Sequence, residues 1–132
     1  MYALTKPIGW KPEGELAGRL KPVEVPKGFV TDLTSIPRVF YSALRPDGEY
    51  AHAAVVHDYL YWQQETTREV ADETLRQHMI DLKIDSRVVW IIYTAVRRFG
   101  ESAWKTNGEL KTKGEKRLLK TLPTEPGITW VE

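Results

Sequence analysis

The chain is expected to fold as an α+β protein: a small N-terminal antiparallel sheet followed by a mostly helical body with a central antiparallel helix hairpin. Three observations carry this expectation. Residues 1–31 are broken by Pro7, Pro12, Pro22 and Pro26, with Gly9, Gly14, Gly18 and Gly28 between them, so only short extended pieces remain. From Ser35 onward the apolar residues recur at helical spacing. Two of those helical segments are separated by only Glu65-Thr66-Thr67, so the second must run back along the first.

The extended pieces are Tyr2 to Leu4, Glu15 to Leu20, Val23 to Val25 and Phe29 to Thr31, enough for a sheet of two to four strands. Ser35 is placed to cap a short helix over Pro37 to Leu44, because proline is accepted in a first turn. Arg45-Pro46-Asp47-Gly48 reads as a turn, with Asp47 a further cap candidate. The hairpin's first arm then spans Glu49 to Gln64, and its second begins at about Arg68, where Thr66 and Glu69 have capping-box spacing. A break near Lys83 to Asp85 precedes a helix from Arg87 to Phe99, closed by Gly100. A short helix over Ser102 to Lys105 follows. The tail from Thr106 carries Lys111, Lys113, Lys116, Arg117 and Lys120 among Leu118, Leu119 and Leu122, a pattern that suits a short amphipathic helix. This basic run is either a solvated face or a site for phosphate or a partner. Trp90, Tyr93 and Phe99 are expected to fill the core.

Length and composition narrow the classes. A chain of 132 residues is expected to form one domain, strand-rich over 1–31, helical over 35–105 and a polar tail over 106–132. Apolar residues at 42% and charged residues at 28% fit an ordinary globular protein, and a net charge of +1 gives no global attraction to nucleic acid. With no cysteine, disulfides and thiolate metal sites are excluded. The N-terminus has no basic stretch followed by an apolar one, so no signal peptide is expected. The most apolar run, Val88 to Val96, is too short to span a bilayer and is read as a helix buried in the core. A cytoplasmic location is the default expectation. No Walker loop, dinucleotide fingerprint or nucleophile elbow is present.

The residues that bear on chemistry are His57 and Asp72. At about 100° per residue, His57 shares a helix face with Tyr50, Ala53, Ala54, Leu60 and Tyr61, and Asp72 shares one with Ala71, Leu75, Met79 and Leu82. They lie at nearly equal distances from the turn, so the hairpin brings them to one level. A buried carboxylate without a partner costs several kcal/mol, and the imidazole across the hairpin is the expected partner. Tyr61, one turn beyond His57, should lie close by. Asp58, rotated by about 100°, is expected at the edge of the face, within reach of solvent or an ion. Thr31 to Ser35, which includes Asp32, is the other dense group of side-chain oxygens and should approach the His57–Asp58 end. Asp32 is either a cap and turn residue or part of the site. His52 and His78 fall off these faces and read as surface or packing residues. Arg97 or Arg98 is expected to pair with a carboxylate such as Asp32 or Asp58.

Two stretches resemble a known family. One is Val25-Pro26-Lys27-Gly28-Phe29-Val30-Thr31-Asp32-Leu33-Thr34-Ser35-Ile36-Pro37-Arg38. The other runs from Asp47 through His57-Asp58-Tyr59-Leu60-Tyr61, then Arg68, Ala71-Asp72, Met79 and Val96-Arg97-Arg98-Phe99-Gly100. Over about Pro26 to Gly100 they resemble domain of unknown function 1353, a family common in phages and prophages. The resemblance implies a phage or prophage origin, a place in the host cytoplasm or the virion, and a phage or host protein as partner; it supplies no activity. His57-Asp58-Tyr59-Leu60-Tyr61 also resembles, more loosely, the His-Asp-x-x-Tyr core of secreted phospholipases A2. That likeness implies His57 as general base for water, Asp58 as a calcium ligand, and Tyr61 with Asp72 as the orienting network. The phospholipase disulfides and glycine-rich calcium loop are missing here, and calcium takes six to eight oxygens, which Asp32 would have to help supply.

Two functions follow from these readings. One is a metal-assisted hydrolase of esters or phosphoesters, with His57, Asp72 and Tyr61 catalytic and Asp58 and Asp32 holding a divalent cation, calcium by analogy. The other is a non-enzymatic virion or host-interaction protein in which His57 and Asp72 clamp the hairpin.

Overall fold

The computed structural model describes residues 2–31, 35–36, 50–119 and 130–131. The helix expected over Pro37 to Leu44, the Asp47 cap, Asp32, Thr34, Lys120 and Leu122 lie outside these residues. Strand β1 (Tyr2–Ala3) pairs antiparallel with β4 (Val30–Thr31), and β2 (Ile8–Trp10) pairs antiparallel with β3 (Val23–Val25), Gly9 opposite Glu24. Helices α1 (Tyr50–Gln63), α2 (Arg68–Asp81), α3 (Ser86–Phe99) and α4 (Glu101–Thr112) follow. Strand β5 (Leu118–Leu119) then pairs antiparallel with β6 (Trp130–Val131). The architecture is α+β, as expected.

Helix α1 organises the molecule. It packs against α2 and α4 and against β2, β3 and β4. One of its sides enters a core with Leu75, Met79, Val89, Ile92 and Val96 through Ala53 and Ala54. Its other side enters a second core with Val25 and Phe29 through Val55, Val56 and Trp62. A helix covered on both sides is apolar nearly all round, so it has no single wet face. That placement carries Asp58, expected at a wet edge, into the interior, where it is fully buried.

Several elements differ from expectation. Residues Gly14–Gly18 form a 3-10 turn rather than a strand: the carbonyl of Leu16 accepts from Arg19 N at 2.9 Å and Leu20 N at 2.8 Å, and Leu20 anchors the turn in the interior. The cap of α2 is Thr67, not Thr66; its side chain accepts from Val70 N at 3.2 Å. Helix α4 continues seven residues past Lys105, to Thr112. It does so because Asn107 turns inward and Gly108 lies against Gln64, whose Nε2 donates to the carbonyl of Trp104 at 2.7 Å. After Gly114, at φ +94°, the chain turns to a strand rather than the amphipathic helix expected there. Leu118 bridges Phe29, Val30 N donates to Arg117 O at 2.7 Å, and Leu119 N donates to Gly28 O at 2.9 Å. The Arg117 guanidinium is buried over the Trp62 ring at 4.4 Å, so it is not part of a solvated face.

The core assignment on α3 is also corrected. Val89, Ile92 and Val96 are buried, whereas Trp90 and Phe99 are exposed and Tyr93 is half-buried. Trp90 is one position, about 100°, away from the buried Val89. Among the described residues no helix is long and apolar enough to cross a membrane.

Candidate functional site

The helix hairpin brings His57 and Asp72 together as expected. His57 Nε2 lies 2.7 Å from Asp72 Oδ1, and Tyr61 Oη donates to the same oxygen at 2.7 Å. Both His57 and Asp72 are fully buried, 0% exposed. Tyr61 is one turn from His57 on α1, and the two rings sit with centroids 4.3 Å apart. Burial raises the Tyr61 phenol well above its usual value, and the Asp72 charge adds to this, so the hydroxyl stays protonated and donates.

Asp72 Oδ2 faces two arginines. Arg97 Nη1 donates at 2.7 Å from α3 and Arg68 Nη1 at 3.4 Å from one turn earlier on α2. Arg68 also donates to the carbonyls of Val96 at 3.1 Å and Arg97 at 3.2 Å, closing the C-terminal end of α3. Burial pushes the Asp72 carboxyl up, but the hydrogen bonds and charge of His57, with the bonds from Tyr61 and Arg97, outweigh it and hold the carboxyl below its usual value. The carboxylate is therefore ionised and accepts only. His57 must carry its proton on Nε2, and in the neutral ring Nδ1 is left as an acceptor.

That second nitrogen is also engaged. Ser35 Oγ lies 3.0 Å from His57 Nδ1, and Ser35 is buried. With Nδ1 accepting, the serine hydroxyl donates. Ser35, His57 and Asp72 thus form one continuous relay. It has the residue types of the serine-hydrolase triad with the two ring nitrogens exchanged. Beside it, Thr31 Oγ1 donates to Asp58 Oδ2, tying β4 to α1. The Thr31–Ser35 segment reaches the His57–Asp58 end as expected, through Thr31 and Ser35.

The arginine pairing differs from expectation. Arg97 is the arginine that pairs, and it meets Asp72 because the α3 register turns it toward α2. Asp58 lies in the interior rather than at an edge, where it accepts from Thr31. Among the described residues no three His, Cys, Asp or Glu side chains converge as a metal site. His52 is exposed, and His78 is buried against Trp10 with ring centroids 6.0 Å apart, so both are surface or packing residues as expected. Two partners were missed from sequence. Arg68 stands four residues before Asp72, a spacing that marks a helical ion pair. Ser35 was read as a cap and as one of several loop oxygens, and no local signal singled it out as the partner of His57.

Three two-stranded antiparallel sheets, two of them packed on α1 of the helix hairpin, with a buried polar relay in the interior, define an α+β protein with an internal Ser–His–Asp chain. The family model described as protein of unknown function (DUF1353) matches residues 13–96, and the chain belongs to that family. Neither a curated protein nor a solved structure matches the chain.

Proposed function

We propose that the protein is a hydrolase of carboxylic or phosphoric esters in which Ser35 is the nucleophile and His57 the general base. The observation that carries this reading is the position of His57: it holds a hydroxyl at Nδ1 and an ionised carboxylate at Nε2. For a carboxylic ester, Ser35 Oγ attacks the carbonyl carbon while its proton passes to His57 Nδ1. The imidazolium, stabilised by Asp72, returns that proton to the departing alkoxide. Water then cleaves the acyl-serine by the same route, and the serine is regenerated. Tyr61, Arg97 and Arg68 fix Asp72, so the ring is pre-aimed. The preference for an ester comes from the phospholipase resemblance, and the phage or prophage setting from the family resemblance.

The test is covalent labelling with a fluorophosphonate, read by mass spectrometry, beside hydrolysis of p-nitrophenyl esters. Label on Ser35 that is lost in His57→Ala supports the reading; an unlabelled, inactive wild type removes it. The cation expected from the phospholipase likeness rests on Asp58 with Asp32. Calorimetry with calcium, magnesium, manganese and zinc tests it separately. Binding heat abolished by Asp58→Asn adds the cation, and no heat leaves the relay acting alone.

One observation favours a second reading. The relay is closed on itself, since Asp72 receives four donors and Ser35, His57 and Asp72 are all buried. A clamp needs nothing more. His57→Leu separates the two: a sharp fall in melting temperature marks a satisfied clamp, whereas a held or raised one marks a group kept for chemistry at a cost to folding.

A further inference from the structure

The large apolar side chains that stay exposed among the described residues are Ile80 (44%), Trp90 (67%), Ile91 (46%) and Phe99 (65%), all on the end of α2 or on α3. Helix α3 carries three arginines and no acidic residue. Arg97 is drawn inward to Asp72, and Arg87 and Arg98 remain exposed. With Trp90 as origin, Thr94 lies at about 40°, Arg87 at about 60°, Arg98 at about 80° and Ile91 at about 100° around the helix. One face therefore interleaves two guanidinium groups with an indole and an isoleucine. Phe99 lies at about 180°, off this face, with the Arg98 guanidinium 5.8 Å from its ring centre. Beside Trp90 the surface continues into a groove of about 530 Å³ between α2 and α3, with Ile80, Ile84, Val89 and Tyr93 in its lining.

We propose that this face of α3 docks on an anionic phospholipid surface, Trp90 and Ile91 entering the headgroup boundary while Arg87 and Arg98 meet lipid phosphates. Charge decides between occupants. In a second copy packed antiparallel about the middle of α3, Arg87 of one chain would face Arg98 of the other; a parallel pair would set each arginine against itself. Either arrangement leaves like charges together, with no carboxylate on α3 to answer them. The acids at its ends do not supply one: Asp85 caps the helix by accepting from Arg87 N at 2.9 Å, and Glu101 begins α4. An anionic lipid surface satisfies both arginines, and the apolar side chains leave water at the same time. The chain would lie on the bilayer rather than cross it. Docking of this kind is independent of the Ser35–His57–Asp72 relay and requires no turnover.

The experiment is flotation of the full chain with phosphatidylcholine vesicles and with equimolar phosphatidylcholine–phosphatidylglycerol vesicles. Binding to the anionic vesicles is expected, weakening with salt and falling about tenfold or more in Arg87→Glu/Arg98→Glu. Trp90→Ala should also lose binding, and a blue shift of tryptophan emission on binding should be absent in Trp90→Phe. These side chains are exposed, so circular dichroism should show all variants folded. Ser35→Ala should bind as the wild type does, which keeps this result apart from the fate of the proposed hydrolase. Absence of binding to anionic vesicles overturns the proposal, as does binding that Arg87→Glu/Arg98→Glu leaves intact. A concentration-dependent dimer abolished by Trp90→Ala would give the face to a second copy and overturn it as well.

Discussion

Asp72 receives hydrogen bonds from three helices, and His57 and Tyr61 share one of its oxygens while Arg97 and Arg68 share the other. Removing it leaves two guanidinium groups and an imidazole without their anion. Asp72→Ala should cost about 3 kcal/mol, the lower end for a broken buried pair because both arginines are partly exposed. Asp72→Asn should fall between it and the wild type; urea denaturation checks the order. His78 gives a separate signature. Burial lowers its pKa from 6.5 to about 4, with Asp81 opposing and His52 assisting. Between these values the unfolded chain binds a proton that the folded chain refuses, so stability falls as pH drops through this window. The loss should approach about 3 kcal/mol at pH 4, and His78→Leu should flatten it. The Asp72 contribution has a different window: its folded pKa is depressed, so its stabilisation is present above about pH 4 and is lost only below it. Denaturation midpoints from pH 3 to pH 8 distinguish the two.

At the scale of elements, the junction of α3 and α4 sets the site. A Cβ on Gly100 would stand 2.4 Å from both Tyr61 Oη and Val96 O, and 3.2 Å from Arg68 Nη1. Gly100→Ala should therefore destabilise by about 1–3 kcal/mol and displace Tyr61 from Asp72, with near-ultraviolet dichroism reporting the tyrosine. Thr67→Ala, which removes only the α2 cap, should cost about 1 kcal/mol and leave that signal unchanged. Helices α1, α2 and α3 were legible to within one or two residues, because their apolar periodicity is long and their breaks are short. The extent of helix α4 past Lys105 is not legible in the sequence, because Thr106-Asn107-Gly108 are three poor helix formers. Only the packing of Asn107 and Gly108 against α1 and its following Gln64 makes that stretch helical.

Across the whole molecule, α1 joins two cores, and Phe29 is one of the residues that tie the strand region to it. Its ring is fully buried and meets Tyr59 edge-on at 5.1 Å. Phe29→Ala should cost about 3–5 kcal/mol by thermal or urea unfolding, the usual range for a buried phenylalanine. The C-terminal strand closes over the same region. Gly28 has φ +92°, and a Cβ there would lie 2.3 Å from the carbonyl oxygen of Leu119. Gly28→Ala should separate β5 from Phe29, seen as faster amide exchange at Val30 and Leu119, whose N–H groups bond across this junction.

Periodicity and spacing by themselves determined the α+β class, the hairpin and the meeting of His57, Asp72 and Tyr61. These follow from helix geometry and from the cost of a lone buried carboxylate, both local or near-local. Tertiary structure alone decided that Asp58 is interior, that Arg97 rather than Arg98 turns to Asp72, and that Ser35 completes the relay. It also left Trp90 and Phe99 in solvent. Each of these depends on which face of a helix another element covers, and that is set by contacts between residues far apart in the chain, which no pattern along the sequence records.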